Sequence, residues 1–384
     1  MKKGRFVQVT IVMLCVVASV YAADAAWKWS GSFTDKTVSM LIIGDIQIHS
    51  RRADPSTAFV HIRDTMSKAD VVYANLEGQL VKSQGPTVDI PDKRGWTHPG
   101  PDGVVALRPA NVKVVGLANN VAYGRDNIMQ TVKTLDGLGI IHTGSGKNID
   151  EAHKPAIVER KGVKIGFLQY TARWYQDNEQ IATATAPGIA KITSKDGVTI
   201  DPADVERVRN DIRKLRSQVD IVVVSHHNRD GATPVQFGPN TKTNPSNDRT
   251  KSEQYQIEFA HMALDAGADF VFGHGTHTVQ GVELYKGKPI LYAIGHSNFD
   301  QPGYENAKDG LVVRTVIQGK NILRVSFVPV TRDNNNDVYM LDPSSADGAK
   351  VVQWVKERSP QPPSLRIDGQ EVVLLEKPAV TSHK

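Results

Sequence analysis

The sequence predicts a layered α/β fold, and three observations predict it. From Val38 onward, short apolar runs alternate with stretches of helical periodicity. The runs are too short for helices and rich in β-branched or aromatic residues, as buried strands are. Several of them end in glycine and polar residues, at the strand edge where open α/β sheets gather their sites.

Val38 to Ile43 reads as the first strand and ends in Gly44-Asp45-Ile46-Gln47-Ile48-His49. A helix is expected over Pro55 to Lys68, with Phe59, Ile62 and Met66 on one face. Val71 to Tyr73 follows as a strand ending in Ala74-Asn75-Leu76-Glu77-Gly78, and residues 82 to 103, rich in Pro, Gly and Asp, read as a surface loop. Val112 to Leu117 is a third strand, ending in Ala118-Asn119-Asn120-Val121. The next helix carries Ile128, Val132 and Leu135 and stops at Gly137 or Gly139. Ile140 to Gly144 is a strand, and Pro155 to Thr171 a hairpin turning at Lys161-Gly162.

Residues 172 to 200 carry no period. Asp201-Pro202 then caps and opens a helix whose buried face is Val205, Val208, Ile212 and Leu215. Ile221 to Val224 is a strand ending in Ser225-His226-His227-Asn228, and residues 229 to 252 form a long polar loop. A helix from Ser252 to Ala266 leads into the strand Phe270 to Phe272, which ends in Gly273-His274-Gly275-Thr276-His277. Two hairpins close the pattern, Val282 to Gly295 and Gly310 to Val330, the first leading into His296-Ser297-Asn298-Phe299-Asp300. The tail after Asp337 is polar, with a strand expected at Val372 to Leu375.

Lys2, Lys3 and Arg5 before the apolar run Ile11 to Val20, with small residues up to Ala22, mark residues 1–22 as a secretory signal peptide or, uncleaved, a membrane anchor. The expected location is therefore the periplasm, the cell surface or the medium. Removing the leader takes three basic residues and no acidic one from a chain of net charge +5, leaving +2. It also removes Cys15, the single cysteine, so disulfide, thiolate and cysteine-zinc chemistry are excluded from the mature chain. No basic stripe with interleaved aromatics is present, which argues against a nucleic-acid partner.

The strand ends carry Asp45 and His49, Asn75 and Glu77, Asn119 and Asn120, His226 and His227, His274 and His277, then His296 and Asn298. Oxygen and imidazole donors from separate strands are what two divalent ions sharing a carboxylate require, and the set suits manganese, iron or zinc better than copper(I). Individually each residue has a plainer use. Asp45 can cap a turn, Asn119 and Asn120 can occupy left-handed positions, and His49, His61, His98, His142, His153 and His261 carry no ligand spacing. Arg51, Arg52, Arg94 and Arg229 can meet an anion or simply face solvent.

Gly44-Asp45, Ala74-Asn75-Leu76-Glu77, Leu117-Ala118-Asn119-Asn120, Ser225-His226, Gly273-His274 and His277-Thr278-Val279-Gln280-Gly281 occur in the order and spacing of a known family. The chain resembles the bacterial CapA family, the capsule or poly-γ-glutamate synthesis proteins, from about Val38 to Asp300. That resemblance implies a calcineurin-like metallophosphatase domain, a four-layer α/β/β/α sandwich, over 38–332, with a C-terminal extension over 333–384. It implies metal roles for Asp45, Glu77, Asn120, His226, His274 and His277. Asn75, Asn119 and Asn298 are candidates for substrate contact. Three departures stand out: Val121 replaces the histidine expected after Asn120, His227-Asn228 replaces a tryptophan-glycine pair, and Gly295-His296-Ser297-Asn298-Phe299 replaces a Gly-Asn-Phe segment. Val121 removes the usual general acid, for which His227 or His296 are candidate substitutes; such a loss typically costs about 10²–10⁴-fold in rate. The implied function is support of synthesis, export or anchoring of an anionic capsule polymer, with a membrane-bound synthesis machinery as partner. The alternatives are a secreted phosphoesterase or nucleotidase acting on small phosphorylated compounds, and a metal-free pseudo-enzyme that binds polymer or assembly partners.

Overall fold

The computed structural model describes residues 29–30, 36–48, 54–81, 90, 101–175, 179–194, 198–228, 250–300, 307–361 and 363–378. The leader, most of both long loops, His49, His98 and the four arginines named above lie outside the described residues. Among the described residues, no helix is long and apolar enough to cross a membrane.

The elements in chain order begin with β1 (Val38–Gln47), α1 (Arg63–Ser67), β2 (Val71–Leu76), β3 (Val112–Gly116), α2 (Arg125–Leu138), β4 (Ile141–Thr143) and β5 (Ser145–Gly146). Next come α3 (Ile149–Ala152), β6 (Ala156–Arg160), β7 (Val163–Thr171), β8 (Gly188–Ile189), α4 (Pro202–Arg216), β9 (Ile221–His227), α5 (Gln254–Ala266) and β10 (Phe270–His274). The chain continues through β11 (Val282–Tyr285), β12 (Lys288–Leu291), β13 (His296–Phe299), β14 (Gly310–Gln318), β15 (Asn321–Arg332) and β16 (Val338–Met340). It closes with α6 (Ala346–Arg358), β17 (Arg366–Asp368) and β18 (Glu371–Glu376).

Ten strands form one sheet in the order β17-β18-β15-β14-β1-β2-β3-β4, with β13 beside β1 and β16 beside β15. Six form the other, β11-β12-β10-β9-β7-β6. The sheets face each other through Val38, Met40, Ile42 and Tyr73 on one side and Phe167, Val223, Phe270 and Phe272 on the other. Outside the first sheet lie Met66, Val132 and Leu135 of α1 and α2. Outside the second lie Val208, Ile212 and Leu215 of α4 with Phe259 and Ala263 of α5. The molecule is thus a calcineurin-like α/β/β/α sandwich of four layers.

Two expectations are corrected. The helix over Pro55 to Lys68 is instead a short 3₁₀ turn, Pro55–Thr57, and the brief α1. Phe59 breaks it by adopting a left-handed φ of 68°, and this delivers its ring fully buried into the cluster outside the first sheet. The tail is not merely polar: α6 inserts Val351, Val352 and Val355 into the inter-sheet core, and β18 pairs antiparallel with β15.

Candidate metal centre

Strand pleating decides which polar residues can meet. In β9, Ile221 and Val223 face the inter-sheet core while Val222 and Val224 face the helices. The period of two therefore turns Ser225 and His227 inward and His226 outward. In β10 the same count turns Phe270, Phe272 and His274 inward. In β1 the inward residues Val38, Met40 and Ile42 are even-numbered, yet inward Asp45 is odd. A register shift between Ile43 and Asp45 changes the phase. Gly44 permits it, since a Cβ there would lie 2.1 Å from the Gly295 carbonyl oxygen.

The result is two buried triads, Asp45-His227-His274 and Asp45-His277-His296, each with its ligand atoms within 4.8 Å of one another. Asp45 belongs to both. Its Oδ1 accepts from Asn75 Nδ2 at 2.7 Å and its Oδ2 from the Gly275 amide at 2.9 Å. His227 Nε2 lies 3.0 Å from Asn120 Oδ1, and His274 Nε2 lies 2.7 Å from Ser225 Oγ. His274 Nε2 also lies 3.1 Å from the Gln169 side-chain amide nitrogen, and its Nδ1 lies 3.0 Å from His227 Nδ1 and 3.3 Å from Asp45 Oδ1. The second pair, His277 Nδ1 and His296 Nε2, is 2.5 Å apart. His277 has a left-handed φ of 61°, an uncommon state for a non-glycine residue and one that clusters at functional sites.

Burial keeps two of the imidazoles, His227 and His296, ready as ligands. Burial raises the Asp45 pKa, but the His274 hydrogen bond and the electrostatic pull of His274, then His227 and His296, outweigh it, holding the carboxyl below its usual range. Burial, then Arg332, pushes His296 down to about 3, and burial, then His274, pushes His227 well below its ordinary value. Neutral imidazole is the form that binds metal.

The expected residues fall into distinct places. Glu77 lies beside the second triad, its Oε1 3.8 Å from His277 Nε2. Asn120 and Asn75 contact His227 and Asp45 rather than open space. Asn119 donates to Leu76 O and accepts from the Ala122 amide, which ties a loop, and Asn298 donates to Asn336 O. His226 is not brought to the centre: its ring stacks on Phe259 at 4.5 Å, and burial pushes it down to about 3. His227 holds the inward place instead. His61, His142, His153 and His261 engage Tyr339, Asp136, Asp211 and Glu283 elsewhere. Val121 packs with Ile90, Tyr123 and Tyr175.

Three further residues shape the centre without having been named as site residues from the sequence. Gln169 bridges Asn75 Oδ1 at 2.8 Å and the Ala118 amide at 2.8 Å, Ser225 supports His274, and Arg173 is 5% exposed with its charge opposing protonation of His227. Gln169 and Ser225 lie within mainly apolar strands, and Arg173 lies just after one.

A profile of bacterial capsule synthesis proteins, PGA_cap, matches residues 39–301. The chain belongs to that family. The PGA_cap match contains every residue of both triads and ends before β14, β15 and α6. The PGA biosynthesis protein CapA of Bacillus subtilis (strain 168) is 25% identical over 337 residues, covering 85% of this chain and 80% of that one. A probable polyglutamine synthesis accessory protein of Mycobacterium tuberculosis is 30% identical over 241 residues, covering 61% and 57%. Among solved structures, purple acid phosphatase PPD1 from yellow lupin (Lupinus luteus) is similar with a TM-score of 0.37 and 9% identity, covering 79% of this chain and 53% of that one.

Proposed function

We propose that this is an exported metal-binding protein that supports synthesis, export or anchoring of an anionic capsule polymer such as poly-γ-glutamate. The observation that carries the metal reading is the pair of buried triads sharing Asp45. Three imidazole or carboxylate donors per position fit two divalent ions of manganese, iron or zinc type. His227 and His274 would hold one, His277 and His296 the other, and Asp45 both. Bound ions would supply Lewis acidity toward an oxyanion and an activated water. Arg173 adds positive charge beside His227, as an anionic ligand requires.

The polymer half of the reading rests on family membership and on the capsule and polyglutamine roles named for the relatives. Its test is deletion of the gene with quantification of surface polymer. Loss restored by the wild-type gene, and not by the Asp45→Asn gene, is the expected result; unchanged polymer in the deletion strain contradicts the reading.

Phosphoester hydrolysis is the second reading, favoured by a carboxylate shared between two triads. It lacks a proton donor at Val121, which sits in an apolar cluster. Turnover of bis(p-nitrophenyl) phosphate, a substrate with a good leaving group, is expected to exceed that of an alkyl diester by far more than in a site with a histidine there. Equal rates on both would show that another residue donates the proton.

A further inference from the structure

Arg332 closes β15, beyond the family match, and is 2% exposed. Its Nη1 donates to Phe299 O at 2.6 Å and to Asn336 Oδ1 at 2.8 Å. Its Nη2 donates to Ala307 O at 2.7 Å and lies 3.3 Å from His296 Nδ1. The same Ala307 carbonyl is 3.1 Å from His296 Nδ1, and the His296 ring stacks on Phe299 at 4.0 Å with 3° between the planes. One guanidinium thus holds both the ring's stacking partner and the carbonyl at its outer edge.

That carbonyl is an acceptor beside the ring's outer nitrogen. For His296 Nε2 to present a lone pair toward His277 and Asp45, the proton must sit on Nδ1. Ala307 O is placed to accept it, and a carbonyl has two lone pairs, enough for both His296 and Arg332. Partners of this outer kind orient a ligating ring, and their loss typically costs about 10–100-fold in metal affinity. The planar fork matters: its two Nη groups reach the two carbonyls in a fixed geometry, which the single ammonium nitrogen of a lysine does not reproduce.

We propose that Arg332 is a positioning residue that fixes His296 for metal binding, so that the second triad depends on a strand outside the family-defining region. This rests on the metal reading above. The test is calorimetric titration of Mn²⁺ into the metal-free full chain, for wild type, Arg332→Met and Arg332→Lys, with melting curves alongside. Wild type is expected to bind two ions and to show the spin-coupled spectrum of a manganese pair. Arg332→Met is expected to bind one ion as wild type does and the other about 10–100-fold more weakly. Its spectrum becomes that of isolated manganese, and Arg332→Lys falls between. Two ions bound by Arg332→Met at wild-type affinity overturns this inference alone, as does equal weakening of both ions, which would mark a loosened fold. A wild-type chain that binds no Mn²⁺ removes the metal reading and this inference together.

Discussion

At His226 and His227, one peptide step separates a core ring from a ring of the candidate centre. The sequence pattern pointed to His226, because a histidine directly follows Ser225 where the family has one. The pleat of β9 gives the inward position to His227, and only the phase of Ile221 and Val223 relative to the core reveals that. His226 carries a consequence for pH. Its ordinary value of 6.5 applies unfolded, and burial lowers it to about 3 when folded. Between those values the unfolded chain binds more protons, so stability rises with pH and is lost as pH falls from 6.5 toward 3, by up to ~1.4 kcal/mol per unit. Replacing the ring by Phe keeps the stack on Phe259 and removes this share. Urea unfolding of His226→Phe should therefore lose less stability than wild type between pH 6.5 and pH 5 in the metal-free chain. Parallel profiles would show that His226 is not the titrating core group.

At the scale of elements, the phase of β1 is set by Gly44. Added at that position, a Cβ meets backbone rather than a yielding side chain. Gly44→Ala is expected to destabilise by about 1–3 kcal/mol, the usual cost of overpacking, and to weaken metal binding as Asp45 shifts. Unchanged melting and metal content would show that the strand can move aside. α6 acts differently, through packing alone. Val355 is fully buried in the inter-sheet core, and Val355→Ala should cost about 1.5–3 kcal/mol while leaving metal stoichiometry intact. Strands and helices with steady periods, such as α4 and the β14–β15 hairpin, were legible because one rule governs each. The bulge in β1, the left-handed Phe59 and α6 were not, since each depends on contacts with distant segments. Yet Ser345, whose hydroxyl caps the Gly348 amide, and the spacing of Val351, Val352 and Val355 were readable signs of α6.

Across the molecule, the stretch after Arg332 shares its core with the rest of the chain. Glu371 of β18 is fully buried and binds Ser326 Oγ at 2.5 Å, Arg314 Nη1 at 3.2 Å, Arg324 Nη2 at 3.3 Å and the Ser30 amide at 2.8 Å. Removing one partner from a buried ionic group leaves charges uncompensated, at about 3–5 kcal/mol. Glu371→Ala should therefore lower the unfolding free energy by that order in denaturant titration, and a wild-type midpoint would show that water replaces the carboxylate. The candidate centre lies where strand ends of both sheets converge. Its donor types were legible from residues at strand ends, whereas its pairing into two triads needed the facing sheets. The most direct measurement is the metal content of the purified chain, reconstituted with manganese and compared with Asp45→Asn, His227→Ala, His296→Ala and His226→Phe. Two ions in wild type and in His226→Phe, about one in each histidine-to-alanine variant and none in Asp45→Asn is the expected pattern. Retention of both ions by Asp45→Asn, or their loss in His226→Phe alone, would contradict the shared-carboxylate centre.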